Sequence, residues 1–216
     1  EAAFLFQGST PLSAYTALLT GFQDALLRRN LFHLLDMRLV FILNVLEIME
    51  EQLAKKLVDG LREAGISFVT FLPETRLSQI VPLMQQDPSF QVVPVANEAE
   101  GVSIAAGAAL GGKPAASYME GSGVYVSSYN LLVVGKRLGV PILLIVAYYG
   151  SFGDKRNSFL YALPGIHLIP ILESLDIQYL VLENGDNLEA QIKGAVRMMH
   201  AIKQPVALLF TGEFTV

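Results

Sequence analysis

The sequence predicts an α/β protein, a doubly wound and mainly parallel sheet with helices on both faces, preceded by an N-terminal helical appendage. Three observations point there. From residue 49 onward, segments of helical and strand-like pattern alternate along the chain. Pro141-Ile-Leu-Leu-Ile-Val-Ala147 is a continuous apolar run, the pattern of a strand buried on both faces. A length of 216 residues, 52% hydrophobic and 16% charged, suffices for one such domain with an appendage and is too apolar for a disordered chain.

Residues 1–48 contain three arginines and no lysine, and carry apolar stretches such as Leu39-Val-Phe-Ile-Leu43. Charges at Arg28, Arg29, Asp36, Arg38 and Glu47 interrupt the apolar pattern, no membrane span is expected, and no secretory cleavage pattern follows. We expect a helical appendage over 1–48, a natural start at Met49, one domain over 49–216 and a cytoplasmic location.

Glu50 to Ala64 places Leu53, Leu57, Val58 and Leu61 at helical spacing and stops at Gly65. Ser67–Leu72 is β-rich and ends at Pro73. Arg76–Gln86 reads as a short helix, Phe90–Val95 as a strand and Asn97–Leu110 as a helix closed by Gly111-Gly112. Pro114–Met119 is a third strand, followed by a glycine-bearing turn and a helix from about Tyr125 to Leu138. After the strand from Pro141, Tyr148–Pro164 reads as a long polar loop. A helix near Ile166–Leu175, a strand at Gln178–Leu182, a helix at Asn187–Ile202 and a strand at Pro205–Phe210 complete the pattern. In such sheets the binding groups lie past the carboxyl ends of strands, here Pro73, Ala96–Glu98, Glu120–Gly123 and Tyr148–Gly153.

Composition narrows the chemistry. The net charge is −5 with no Lys/Arg-rich block, which argues against nucleic-acid binding. With no cysteine there is no disulfide, thiolate nucleophile or Cys-based zinc site. His33, His167 and His200 lie too far apart in sequence for a histidine metal motif, and no metal ligands are expected. His200 reads as a solvated or dipole-facing residue of its helix. His167 fits a helix end as well as a catalytic role.

Asn97 is a good N-cap, and Glu100 three residues later can reach back to the cap residue in a capping box. Glu98 is not needed for that box. It falls at the first helical position, just past a strand end, where a cleft is expected. The helix behind it, Gly101-Val-Ser-Ile-Ala-Ala-Gly-Ala-Ala-Leu110, pays roughly 1 kcal/mol of helix propensity at each glycine, which close packing against another backbone would offset.

Asn97-Glu98 followed by small residues through Ala105-Ala-Gly107 resembles the pyrimidine-binding (PYR) domain of thiamin-diphosphate enzymes. The resemblance extends over 49–216 through Leu72-Pro73-Glu74, Gly111-Gly112-Lys113-Pro114 and the strand from Pro141. Within that superfamily it is most similar to the sulfopyruvate decarboxylase alpha subunit and phosphonopyruvate decarboxylase family. The resemblance implies that Glu98 hydrogen-bonds N1′ of the cofactor's aminopyrimidine and takes part in the proton transfers that activate it. The cofactor then serves as an electron sink for decarboxylation of a 2-oxo acid. It also implies that Pro73, Gly121 and Ser122 lie at the cofactor, with Asn130 on the substrate.

Gly121-Ser-Gly123 by itself reads as a plain turn or as a phosphate cradle; a dinucleotide fingerprint is excluded, because Val126 stands where its third glycine would be. The family continues with a further glycine and then an asparagine, whereas here Tyr125 replaces the glycine and Asn130 is displaced. The 148–164 loop is either a mobile surface loop or an active-site loop whose Lys155 or Arg156 attracts an acidic substrate group. The Gly-Asp-Gly…Asn motif that holds diphosphate and Mg²⁺ in the family's second module has no match, since Gly185-Asp-Asn187 lacks the second glycine. The resemblance therefore implies a separate β-type partner subunit that holds Mg²⁺ and shares thiamin diphosphate. It implies a small acidic 2-oxo acid as substrate and a homo- or hetero-oligomer. A non-catalytic or regulatory partner subunit, or the PYR half of another thiamin-dependent lyase or carboligase, remains the alternative.

Overall fold

The computed structural model describes residues 49–215, so the expected appendage at 1–48 lies outside the described residues. Strands β1 (Phe68–Phe71), β2 (Gln91–Pro94), β3 (Ala115–Glu120), β4 (Leu143–Ala147), β5 (Gln178–Leu182) and β6 (Val206–Phe210) form one six-stranded sheet in the order β2-β1-β3-β4-β6-β5. Every pairing is parallel. Helices α1 (Glu51–Glu63), α2 (Ile80–Gln86) and α6 (Leu188–Ile202) cover one face; α3 (Glu98–Leu110), α4 (Gly121–Asn130) and α5 (Phe159–Ser174) cover the other.

The strand period of two sorts side chains between the two cores. Val69, Phe71, Ala116, Tyr118, Leu143 and Ile145 join the α1 side, with Leu57, Leu61 and Ile192. Phe68, Ala115, Met119, Leu144 and Val146 join the α3 side, with Val102, Ala105 and Leu168. β4 is buried at every position, as its unbroken apolar run requires, while β2 and β5 at the sheet edges are partly exposed. Gly65 ends α1 in the left-handed region at φ 85°, the conformation that favours glycine there.

Three boundaries depart from the sequence reading. The second helix begins at Ile80 rather than Arg76. Pro82 then falls in its first turn, where an amide hydrogen would have no helical partner anyway. The helix after β3 begins at Gly121, not Tyr125, so Gly121-Ser-Gly123 is a first helical turn and not a connecting turn. That helix continues as a π-helical segment over Leu131–Arg137, pressed so closely on Pro205 that a Cβ at Gly135 would stand 2.5 Å from its ring.

The third departure concerns the loop after β4. α5 begins at Phe159 and runs through Pro164 and Pro170, so the loop ends at Ser158, and His167 is mid-helix instead of near an end. The prolines remove the donors that would bond the carbonyls of Leu160 and Ile166, both exposed residues within reach of water. α5 tolerates this because it is seated on the loop. A Cβ at Gly165 would stand 2.3 Å from the Tyr149 carbonyl oxygen and 2.5 Å from the Gly150 Cα.

Candidate active site

The chain passes from β1 to β2 on one side and returns to β3 on the other, which makes the carboxyl ends of β1 and β3 the topological switch point where such sheets bind ligands. Three carboxylates arrive there from different elements: Glu74 after β1, Glu98 at the start of α3, and Glu120 at the end of β3.

Glu74 is an anchor. Its carboxylate accepts hydrogen bonds from the hydroxyls of Tyr118 and Tyr149, from the Arg76 backbone N–H at 2.7 Å and from that of Leu77 at 2.5 Å. Burial first, and then the adjacent Glu74 charge, push both phenols far above their usual range, so they remain donors. Arg76 lies beneath, with its Cζ 4.4 Å from the Tyr149 ring centroid and 5.2 Å from that of Tyr161. Its guanidinium pairs with Asp154, whose side chain is fully buried, and donates to the carbonyls of Thr215 at 3.0 Å and Arg156 at 3.3 Å.

Asp154 organises the loop after β4. It accepts from the backbone N–H of Gly150 at 2.9 Å and of Arg156 at 3.1 Å. Gly150, Ser151, Asp154 and Arg156 are all buried. Of the two readings of this loop, the mobile surface loop is not what is found: a buried ion pair holds the segment, Phe152, Lys155 and Asn157 are exposed, and the Asn157 amide donates back to the Ser151 carbonyl at 3.4 Å.

Glu98 and Glu100 are held quite differently. The Asn97 side chain accepts from the Glu100 N–H at 2.9 Å, as an N-cap should. The Glu100 carboxylate closes the box on Ala96 N–H at 2.7 Å, one residue before the expected Asn97. Glu98, 9% exposed, turns inward across the start of α4. A Cβ at Gly123 would stand 2.5 Å from the Glu98 Cγ and 3.0 Å from its Cδ and Oε1, so the missing side chain at 123 is the space the carboxyl occupies. No donor among the described residues bonds that carboxyl group. Its side chain is mostly buried, packed against Gly123.

Close packing behind Glu98 is equally specific. Thr70 Oγ1 donates to the Gly101 carbonyl at 3.0 Å, and a Cβ at 101 would meet Ser117 Oγ at 3.2 Å and Thr70 Oγ1 at 3.3 Å. Gly101 thus lets α3 settle onto β1 and β3 within this chain. Gly107 faces open space.

Glu120 is half-buried, and the Ser122 hydroxyl donates to one of its oxygens. Burial is the main cause that raises its pKa above the usual carboxylate value. Ser122 opposes this, Glu74 and Glu98 reinforce it, and Arg76 opposes it weakly. Glu120, Gly121, Ser122, Tyr149 and Tyr161 line a cavity of about 100 Å³ closed by α5.

Of the residues singled out from sequence, Glu98, Gly121 and Ser122 lie together at this end of the sheet, and Pro73 is exposed on its lip. Asn130 is at the far end of α4. Its amide donates to the Ala99 carbonyl at 3.2 Å and to Ser103 Oγ at 2.8 Å, so it ties α4 to α3. Lys155 is exposed, and Arg156 is buried with its carbonyl on Arg76. Sequence reasoning did not find the roles of Glu74, Arg76, Tyr118, Tyr149, Asp154 and Glu120. The one available signal was position, since Glu74 and Glu120 end or follow strands on either side of the switch point. Among the described residues no group of His, Asp and Glu side chains is arranged to hold a metal ion, and no helix is long and apolar enough to cross a membrane.

Residues 51–159 match the family described as thiamine pyrophosphate enzyme, N-terminal TPP binding domain. The chain is 29% identical over 152 residues to the sulfopyruvate decarboxylase subunit alpha of Methanococcus maripaludis, covering 70% of this chain and 90% of that one. It is 28% identical to the subunit alpha of Methanocaldococcus jannaschii, covering 72% and 91%, and 35% identical to that of Methanothermobacter thermautotrophicus, covering 44% and 58%. Among solved structures it is similar to a 2-oxoglutarate:ferredoxin oxidoreductase from Magnetococcus marinus, with a TM-score of 0.61 and 16% identity, a likeness of fold. That match covers 76% of this chain and 29% of the oxidoreductase chain.

Proposed function

The chain belongs to the family of thiamine pyrophosphate enzyme N-terminal TPP binding domains, and from that premise we propose that it is the pyrimidine-binding subunit of a two-chain decarboxylase acting on sulfopyruvate. The relatives named sulfopyruvate decarboxylase subunit alpha support both the substrate and a second subunit. The observation that carries the reading is Glu98: a carboxyl group 9% exposed, at the first position of α3, without a donor among the described residues. A buried carboxylate in that state fits a ligand that brings its own hydrogen-bond donor and can exchange a proton with it.

When bound, thiamin diphosphate supplies the electron sink that makes loss of CO₂ from a 2-oxo acid possible. The residues of this chain bind and orient it. Glu98 holds and moves a proton at the pyrimidine edge. Gly123 clears the space for its carboxyl, and the backbone of Gly121 with the Ser122 hydroxyl and Pro73 borders the same cleft. The Glu74–Tyr118–Tyr149 cluster keeps the floor rigid and dry. Lys155, exposed on the loop after β4, is the cation placed to attract the sulfonate. Asn130 and Arg156 act by holding α4 and the loop in position. Mg²⁺ and the diphosphate belong to the partner subunit, and the complex works in the cytoplasm.

The test is reconstitution. The chain alone should bind thiamin diphosphate weakly in calorimetry. With a β-type subunit and Mg²⁺ it should release CO₂ and an aldehyde from sulfopyruvate. Tight Mg²⁺-dependent binding by this chain alone would overturn the shared site. Activity confined to joining two substrates, or none at all, would overturn the decarboxylase reading.

A further inference from the structure

We propose that the Glu120 carboxyl group, at the end of β3, delivers the proton that takes the place of the departing CO₂. The inference deepens the decarboxylase reading above and rests on it. Decarboxylation of a 2-oxo acid consumes one proton. The bond between the carbonyl carbon and the carboxylate breaks, CO₂ leaves, and the carbon it left must form a C–H bond before an aldehyde can depart. In this step the O–H bond of Glu120 breaks as that C–H bond forms, and water then returns a proton to the carboxylate. No oxidant or reductant is needed.

The geometry separates the three carboxylates of the site by task. Glu74 accepts four hydrogen bonds, two from phenols and two from backbone N–H groups, and is committed to holding the loop after β1. Glu98 packs over Gly123 at the first turn of α4. Glu120 gives one oxygen to Ser122 and lines the cavity that α5 closes, between Tyr149 and Tyr161.

The groups that face Glu120 from the neighbouring elements favour its protonated form. Glu74 comes from the loop after β1 and Glu98 from α3. The phenols of Tyr118 and Tyr149 lie on β3 and just after β4, both directed at Glu74. Among the described residues the cation that acts on it, Arg76, is committed to Asp154. Burial acts in the same direction and is the largest cause.

The experiment compares wild type, Glu120→Gln and Glu120→Asp in the complex with the β-type subunit, thiamin diphosphate, Mg²⁺ and sulfopyruvate. CO₂ release in a single turnover and aldehyde release in the steady state are measured separately. Glu120→Gln should retain the first turnover of CO₂ and lose aldehyde release by about 10²–10⁴-fold. Glu120→Asp should recover part of it. Equal loss of both products, or aldehyde release unchanged in Glu120→Gln, overturns the role of Glu120. Wild type that releases no CO₂ overturns the decarboxylase reading itself. Infrared difference spectra of the full chain without substrate give a readout independent of turnover. A protonated-carboxyl band that persists in wild type above the ordinary carboxylate range and is missing from Glu120→Gln is expected, and its absence from wild type overturns the proposal.

Discussion

Glu98 and Glu100 share one helix end, so the helix dipole treats them alike, and only their partners distinguish them. Glu100 is spent on Ala96 N–H, while Glu98 lies over Gly123 with no donor among the described residues. In the assembled enzyme, Glu98→Gln should lower turnover by about 10²–10⁴-fold, because an amide keeps the shape and cannot exchange the proton. Glu100→Gln should lose about 1 kcal/mol of stability or less and little activity. Exchange of the cofactor C2 proton, followed by NMR beside thermal melts, separates the two. Gly123→Ala should displace the Glu98 carboxyl and cost about 100-fold in turnover even if the protein melts normally, since its Cβ would stand 2.5 Å from Glu98 Cγ. Glu120 makes a pH prediction. Its folded pKa is raised above the ordinary 4.5, so the unfolded chain gives up the proton first. The stability contributed by the protonated group is complete below about that value and is lost as pH rises through the folded value. The melting temperature of Glu120→Gln should therefore gain on wild type with rising pH above about 4.5. A gap that stays constant across that range would mean ordinary acidity at Glu120.

The loop after β4 and helix α5 act as one element. Arg76 and Asp154 are 3% and 0% exposed at their side chains, and each depends on the other. Replacing such a pair with apolar groups can be neutral, but removing one partner leaves a buried charge. Asp154→Ala should lose about 3–5 kcal/mol, and with it the seat of α5, which denaturant unfolding would register directly. A loss below about 1 kcal/mol would show that the loop holds without the pair. The loop and the start of α4 were the parts least legible in the chain itself. Pro164 reads as the end of a loop, and Gly121-Ser-Gly123 as a turn, by local propensity. Both segments are nevertheless helical, because Gly165 fits onto Gly150 and Gly123 fits under Glu98, contacts between residues far apart in sequence.

The described residues leave apolar side chains uncovered on α4, α5 and the π-helical segment. Tyr129 is 75% exposed, Phe159 78%, Leu163 64% and Val126 56%. Such a density of exposed apolar groups suits a face covered by another chain, and it agrees with relatives named as subunits of a larger enzyme. Sedimentation of the full chain should give a dimer or larger species, or a complex on addition of the β-type subunit. A stable monomer at micromolar concentration that ignores that subunit would count against the proposed assembly. Its solubility should also improve when the partner is present.

What the chain determined by itself was the alternation of strands and helices, the buried β4 run, the parallel sheet and the placing of Glu98 at a helix entry. These follow from periodicity and capping, which act over a few residues and so are written in local order. The tertiary structure alone decided the rest. It gave Glu98 its space at Gly123, gathered Glu74, Tyr118 and Tyr149 from three segments, paired Arg76 with Asp154, and set Glu120 in a cavity under α5. Each of these depends on distances between residues remote along the chain, and on the loss of water around charges that any local window would leave solvated. Acidity and hydrogen-bond partners in this site are properties of burial, and burial exists only once the sheet and both helical layers have closed.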